Sequence, residues 1–314
     1  TVMTRFINGL EDGPADELED AVNVADAIGS INDPALIALL RGRIIENYKK
    51  CKYFENKKGV AIYGLLSLLA ESATNTNAEA SASTASAKLN LPPINVVPYN
   101  QLTSDTGTIY ERVFFYGDDD GRNAWEGFTD EYRKNPKWRV DTTRYMTTVT
   151  SLTGQRIVMY ANNPLRTPED EQAIDTVDQY LRTAGIYPRV VIHRGHSYHV
   201  RATLARIDSN ARIVVLGSCG GYQNVAKVLQ AAPNAHIISS KQTGVGAINE
   251  PIVRAINTSL LDHTDVNWIT IWNGLEEYFV KKPELYPRYR DYVPPHKNLG
   301  VLFIKAYHQM LNRQ

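Results

Sequence analysis

Two cysteines in 314 residues, Cys51 and Cys219, are too few for a disulfide framework, and they lack the spacing of a zinc site. Long apolar runs are absent too. The longest, Val60–Ala70, is too short to span a bilayer. Net charge is also missing, with 34 basic residues against 34 acidic ones. Nothing therefore points to a polyanion or a membrane surface as partner, and nucleic acid is not expected. No secretory signal is visible, although the sequence opens at Thr1 and an upstream segment could have been removed. The expectation is a soluble protein, cytoplasmic rather than exported.

One stretch lacks large apolar side chains altogether. Ser72–Lys88 is built of Ser, Ala, Thr and Asn, with single Glu and Lys residues. Such a composition cannot bury enough surface to offset its ordering entropy, so it reads as a flexible linker. It divides the chain into a helical region at 1–71, a linker at 72–88 and an α/β domain at 89–314. In the first region Pro34 opens a segment with apolar residues at 36, 37, 39, 40, 44 and 45, a helical stripe. Gly59–Glu71 has the same character. Cys51 sits among lysines near the end of the first stripe, where a lowered thiol pKa is conceivable, though an ordinary cysteine is the plainer reading.

From Leu89 onward strands and helices alternate, the mark of a layered α/β fold. Expected strands are Glu111–Tyr116, Arg156–Tyr160, Val190–Ile192, Ile213–Leu216, Ala235–Ser239 and Val266–Ile271. Helices are expected between them, and Gly274–Val280 is read as helix. Six strands interleaved with helices suit a doubly wound, mostly parallel sheet with helices on both faces.

Two of these strands stop at turns that carry reactive groups. Val190–Ile192 runs into Gly195-His196-Ser197, and Ile213–Leu216 into Gly217-Ser218-Cys219-Gly220-Gly221. A crossover helix between them would place both turns at the carboxyl edge of a parallel sheet, where such folds bind ligands. A thiol beside an imidazole is a nucleophile and its base. A core cysteine, the ordinary alternative, does not need two glycines after it.

These two blocks resemble the caspase-like cysteine peptidases of clan CD, most closely the separase, CHAT and gingipain branch. The resemblance implies a caspase-like sheet and a cysteine endopeptidase acting on a protein or peptide without a cofactor. Cys219 would be the nucleophile and His196 the proton donor to the leaving amine, and the backbone N–H groups of Ser197 and Cys219 would bind the oxyanion. One position departs from the pattern. The family usually has glycine where this chain has Ser197, and that substitution keeps a catalytically silent binding or signalling module, with a regulatory protein partner, in view.

Other readings of the same residues exist. Gly217–Gln223 is also similar to the nucleophile elbow of class I glutamine amidotransferases, although the later His-x-Glu pair of that family is absent. A phosphatase loop would need Arg where Val225 stands. His193, His196 and His199, spaced in threes, could suggest a metal site, but no carboxylate accompanies them in sequence. Lastly, Asp118, Asp119 and Asp120 follow the first strand. They could select a basic substrate side chain, help hold a calcium ion, or merely cap the next helix.

Overall fold

The computed structural model describes residues 6–14, 17–31, 33–73 and 78–311. They form two compact units. One comprises the chain up to Asn95 together with the segment from Pro295 onward, and the other is Val96–Pro294.

The first unit is helical: α1 (Glu19–Ser30), α2 (Pro34–Tyr53), α3 (Lys57–Ala73), α4 (Ala78–Lys88) and a C-terminal helix, Leu299–Leu311. Helix α2 starts where Asp33 Oδ1 accepts the N–H of Ala35 at 2.9 Å, with Pro34 in the first turn. Where α2 and α3 touch, the sulfur of Cys51 occupies the space a side chain at Gly59 would need. Burial, reinforced by the charge of Glu11, pushes the Cys51 thiol up to about 11. The lysines beside it in sequence do not activate it.

The low-complexity stretch is helical from Ala78 onward, where a flexible linker was expected; residues 74–77 lie outside the described ones. Alanine is the strongest helix former. Ala82 and Ala85, three apart on one face, are fully buried, and Ser86 Oγ donates to the carbonyl of Pro92 at 3.0 Å. Small residues bury little surface each, but they allow close approach. The C-terminal helix also belongs to this unit rather than to the α/β domain expected to run to 314.

The second unit is α/β. Its elements are β1 (Val96–Val97), β2 (Ile109–Phe115), α5 (Asp119–Arg133), β3 (Trp138–Thr142), β4 (Met146–Ser151), β5 (Ile157–Asn162), α6 (Glu169–Thr183), β6 (Val190–Arg194), α7 (Val200–Leu204), β7 (Ile213–Leu216), α8 (Val225–Ala231), β8 (His236–Ser240), α9 (Gly246–Leu261), β9 (Val266–Asn267), α10 (Trp268–Phe279) and β10 (Tyr292–Val293). The large sheet has eight strands in the order β10-β8-β7-β6-β2-β5-β4-β3. Strands β8, β7, β6, β2 and β5 run parallel, and antiparallel strands close both edges.

The sheet therefore has eight strands rather than six. The hairpin β3–β4 is mostly threonine and charged residues, so it offers no apolar run, and β10 is two residues long. The expected strand Val266–Ile271 is a strand only as far as Asn267, which pairs with Val96 in a separate two-stranded sheet. Asn267 Oδ1 then accepts the N–H of Thr270 at 3.1 Å and caps α10. Trp268, Ile271, Trp272, Leu275 and Phe279 are all buried, and their spacing is helical. Tertiary burial of that stripe overrides the strand preference of the β-branched residues within it.

One sheet face carries a large core of Ile109, Val113, Phe115, Ile192, Val215 and Trp268, with α5, α9 and α10 over it; the other packs Val158 and Tyr160 against Val177 and Leu181 of α6. Each face also buries a charge-bearing residue from β2. Arg112 is paired with Asp178 at 3.0 Å. Glu111 is fully buried.

Candidate functional site

Numbered by their order in the chain, the five parallel strands run 2-1-3-4-5, and the order reverses between β2 and β6. A crevice opens outside the carboxyl ends of the strands at such a reversal. Here it is a cleft of about 560 Å³, lined by the chain after β2 (Asp120), after β6 (Arg194, Gly195, His196), after β7 (Gly217, Ser218, Cys219) and by the start of α9. Cys219 and His196 thus end adjacent parallel strands, β7 and β6, and face one cavity.

The histidine turn is fixed from below. His193, the fourth residue of β6, is buried, and its Nδ1 meets Thr203 Oγ1 at 2.8 Å while Nε2 meets the carbonyl of Gly195 at 3.2 Å. Burial holds His193 down to about 4, so the ring stays neutral at physiological pH. Tyr116 shares the same threonine at 2.6 Å and stacks flat on His199, with ring centroids 4.0 Å apart. Glycine is required at 195 because a Cβ there would sit 2.6 Å from the Tyr116 ring.

Two of the three aspartates meet this turn, and the third does not. Asp118 caps α5 by accepting the N–H of Gly121 at 2.7 Å, and its other oxygen accepts from Tyr198 at 2.8 Å and His199 at 2.9 Å. Burial pushes its carboxyl up, but these hydrogen bonds outweigh burial and hold it below its ordinary value. Asp119 pairs with Arg122 on the helix surface. Asp120 Oδ2 lies 2.9 Å from His196 Nε2. This last contact was not anticipated, because an acid spaced for a histidine in the fold can be far from it in sequence. The triplet does not converge on one point. His193, His196 and His199 likewise face three different partners. Among the described residues no group of three or more His, Cys, Asp or Glu side chains is arranged to hold a metal ion.

The cysteine turn is equally specified. Gly220 has φ +60°, the left-handed region, and its N–H donates to the carbonyl of Gln242 at 2.6 Å. Asn249 in α9 donates to the carbonyl of Gly217 at 2.9 Å, and accepts from Tyr292 Oη at 2.9 Å. Cys219 is exposed. A 3-10 turn, Gly221–Asn224, separates it from α8. Among the described residues neither the Cys219 N–H nor the Ser197 N–H donates to another backbone group. Ser197 is not among the residues with positive φ, so its side chain imposes no backbone strain there.

The remaining charges in the cleft are Arg194 and Glu250, joined Nη2 to Oε1 at 3.1 Å, with the arginine side chain only 4% exposed. The two cysteines differ sharply: Cys219 is open, whereas Cys51 is buried with its thiol pushed up. Iodoacetamide at neutral pH should label Cys219 rapidly and leave Cys51 unmodified until the protein unfolds. Peptide mapping after timed labelling reads this directly, and comparable native labelling of both would contradict it.

No protein-family model matches the chain, and comparison with curated proteins and with solved structures finds no match.

Proposed function

We propose that the cleft is the active site of a caspase-like cysteine endopeptidase. The observation that carries this reading is the convergence of Cys219 and His196 from adjacent parallel strands on one cavity, with Asp120 2.9 Å from the imidazole Nε2. A nucleophile, a base and a third group that orients the base make up the arrangement covalent hydrolysis needs. With Nε2 turned to Asp120, Nδ1 is the ring nitrogen left for the thiol.

In this mechanism the imidazole takes the Cys219 proton and the thiolate attacks the peptide carbonyl. The Cys219 and Ser197 N–H groups receive the developing oxyanion. His196 then protonates the departing amine, and water, deprotonated by the same ring, hydrolyses the thioester. Asp120 acts as a positioning residue that stabilises the imidazolium. Asp118 and Asp120 are thus proposed to serve the histidine turn, and among the described residues both acids lining the cleft, Asp120 and Glu250, already have partners.

The test uses a peptide acyloxymethyl ketone and a peptide library with the intact chain. The expected result is one covalent adduct, on Cys219, together with cleavage of library members that the adduct blocks. Glutamine hydrolysis without peptide cleavage would replace this reading with an amidotransferase-like amidohydrolase. No adduct and no turnover would replace it with a silent binding module.

A further inference from the structure

The neutral balance of the whole chain conceals a local exception at the turn between α2 and α3. Its sequence is Lys49-Lys50-Cys51-Lys52-Tyr53-Phe54-Glu55-Asn56-Lys57-Lys58. Cys51 points into the helical unit, but Lys49, Lys50, Lys52 and Lys57 are exposed around the tip. Glu55 is the one acid within this stretch. Lys58 is excluded from the count because its Nζ is held by the carbonyl of Pro14 at 2.7 Å.

At the tip stand two aromatic rings. Tyr53 is 81% exposed and Phe54 is 68% exposed, and they touch each other edge to face with centroids 5.0 Å apart. The turn that presents them is fixed. The Phe54 N–H closes on the carbonyl of Lys50 at 3.0 Å, and Asn56 Oδ1 accepts the N–H of Gly59 at 2.9 Å to start α3. Favourable interaction with the end of the α2 dipole explains a lysine or two in the last turn. It does not explain why two large rings are held in water beside them.

We infer that this tip is a docking surface for an anionic phospholipid membrane. Two complementary terms are present on one convex point: aromatic side chains suited to the interface between headgroups and acyl chains, and a ring of ammonium groups suited to anionic headgroups. Peripheral attachment generally needs two such signals together. The two rings stand edge to face, which leaves no parallel slot in which a base could stack. The inference is independent of the chemistry at Cys219.

Sedimentation of the full chain with vesicles tests it. Binding is expected to phosphatidylcholine vesicles containing phosphatidylserine, not to phosphatidylcholine alone, and it should fall steeply with added salt. Lys49→Gln with Lys52→Gln should weaken partitioning roughly thirtyfold. Tyr53→Ser with Phe54→Ser should weaken it about tenfold or more. These side chains are exposed, so the variants should keep the parent's circular dichroism and melting temperature. Absence of binding to either vesicle, equal binding to both, binding unchanged by both pairs of substitutions, or tighter binding to a DNA duplex than to the acidic vesicles would each overturn the inference.

Discussion

On the proposed mechanism Cys219→Ala should reduce peptide hydrolysis by about 10⁴–10⁶ in kcat, because the covalent route is lost and only binding and the oxyanion donors remain. His196→Ala should cost a similar amount, and the double variant little more than either alone, since the two act as one unit. Asp120→Asn should behave differently. The imidazole would still be present, but it would lose the carboxylate 2.9 Å away that orients it. Because both side chains are substantially exposed to water, 42% and 64%, solvent screens the pair. The expected cost is therefore nearer 10² than the 10⁴ seen for buried partners. A purely structural role would instead reduce the amount of active protein and leave kcat per active site unchanged, so active-site titration separates the two.

Glu111→Gln should raise stability strongly at alkaline pH and change it little in mild acid. Glu111 lies fully buried in β2, beside Asn257, whose amide nitrogen is already committed to Tyr132 Oη at 2.9 Å. Among the described residues both Glu111 oxygens and Asn257 Oδ1 are buried without a hydrogen-bond partner. A proton on one carboxyl oxygen can donate to Asn257 Oδ1, which settles two of these three acceptors. Burial accordingly pushes Glu111 up from 4.5 to about 8. The folded state then holds a proton that the unfolded chain releases. Stability from this group is fully present below about pH 4.5 and is lost as pH rises to about 8. The whole window amounts to on the order of 3–5 kcal/mol. A neutral, isosteric glutamine removes the dependence, so urea midpoints of the two proteins should agree near pH 5 and separate by that amount near pH 9. An equal difference at both pH values would mean that Glu111 is already ionised in the folded state.

His193 works in the opposite sense. Its ring, held down to about 4, is neutral in the fold, so its contribution is present above about 6.5 and is lost as pH falls toward 4.

The parallel strands were legible because each is a short β-branched run bounded by turn residues, and the two reactive turns followed from where those runs stop. The acid that meets His196 was not legible as such. Asp120 was visible only as one of three acids in a turn, and nothing in local sequence separates the member that reaches the histidine from the one that caps α5. That distinction depends on β2 and β6 being neighbours, which is a property of the strand order. The β3–β4 hairpin escaped notice because its core residues, Trp138, Val140 and Val149, stand singly among threonines and charges and never form an apolar run. The helix at Ala78–Lys88 did so because composition reports how much surface a residue can bury, not how closely alanine lets another backbone approach. The lysines and aromatics at the α2–α3 turn were averaged away by a charge balance taken over the whole chain.

The membership of the C-terminal helix has a consequence for biosynthesis. Leu299, Leu302, Phe303 and Ile304 are fully buried side chains of the helical unit, and a Cβ on Gly29 would stand 3.0 Å from Leu299. On the ribosome α1 to α4 emerge first, yet this part of their core is supplied some two hundred residues later. At usual elongation speeds the early helices wait on the order of ten seconds or more with that apolar surface open. The α/β unit, contiguous in sequence, can complete itself in the interval. The helices made before the α/β unit are thus completed after it, with their apolar surface open in the interval.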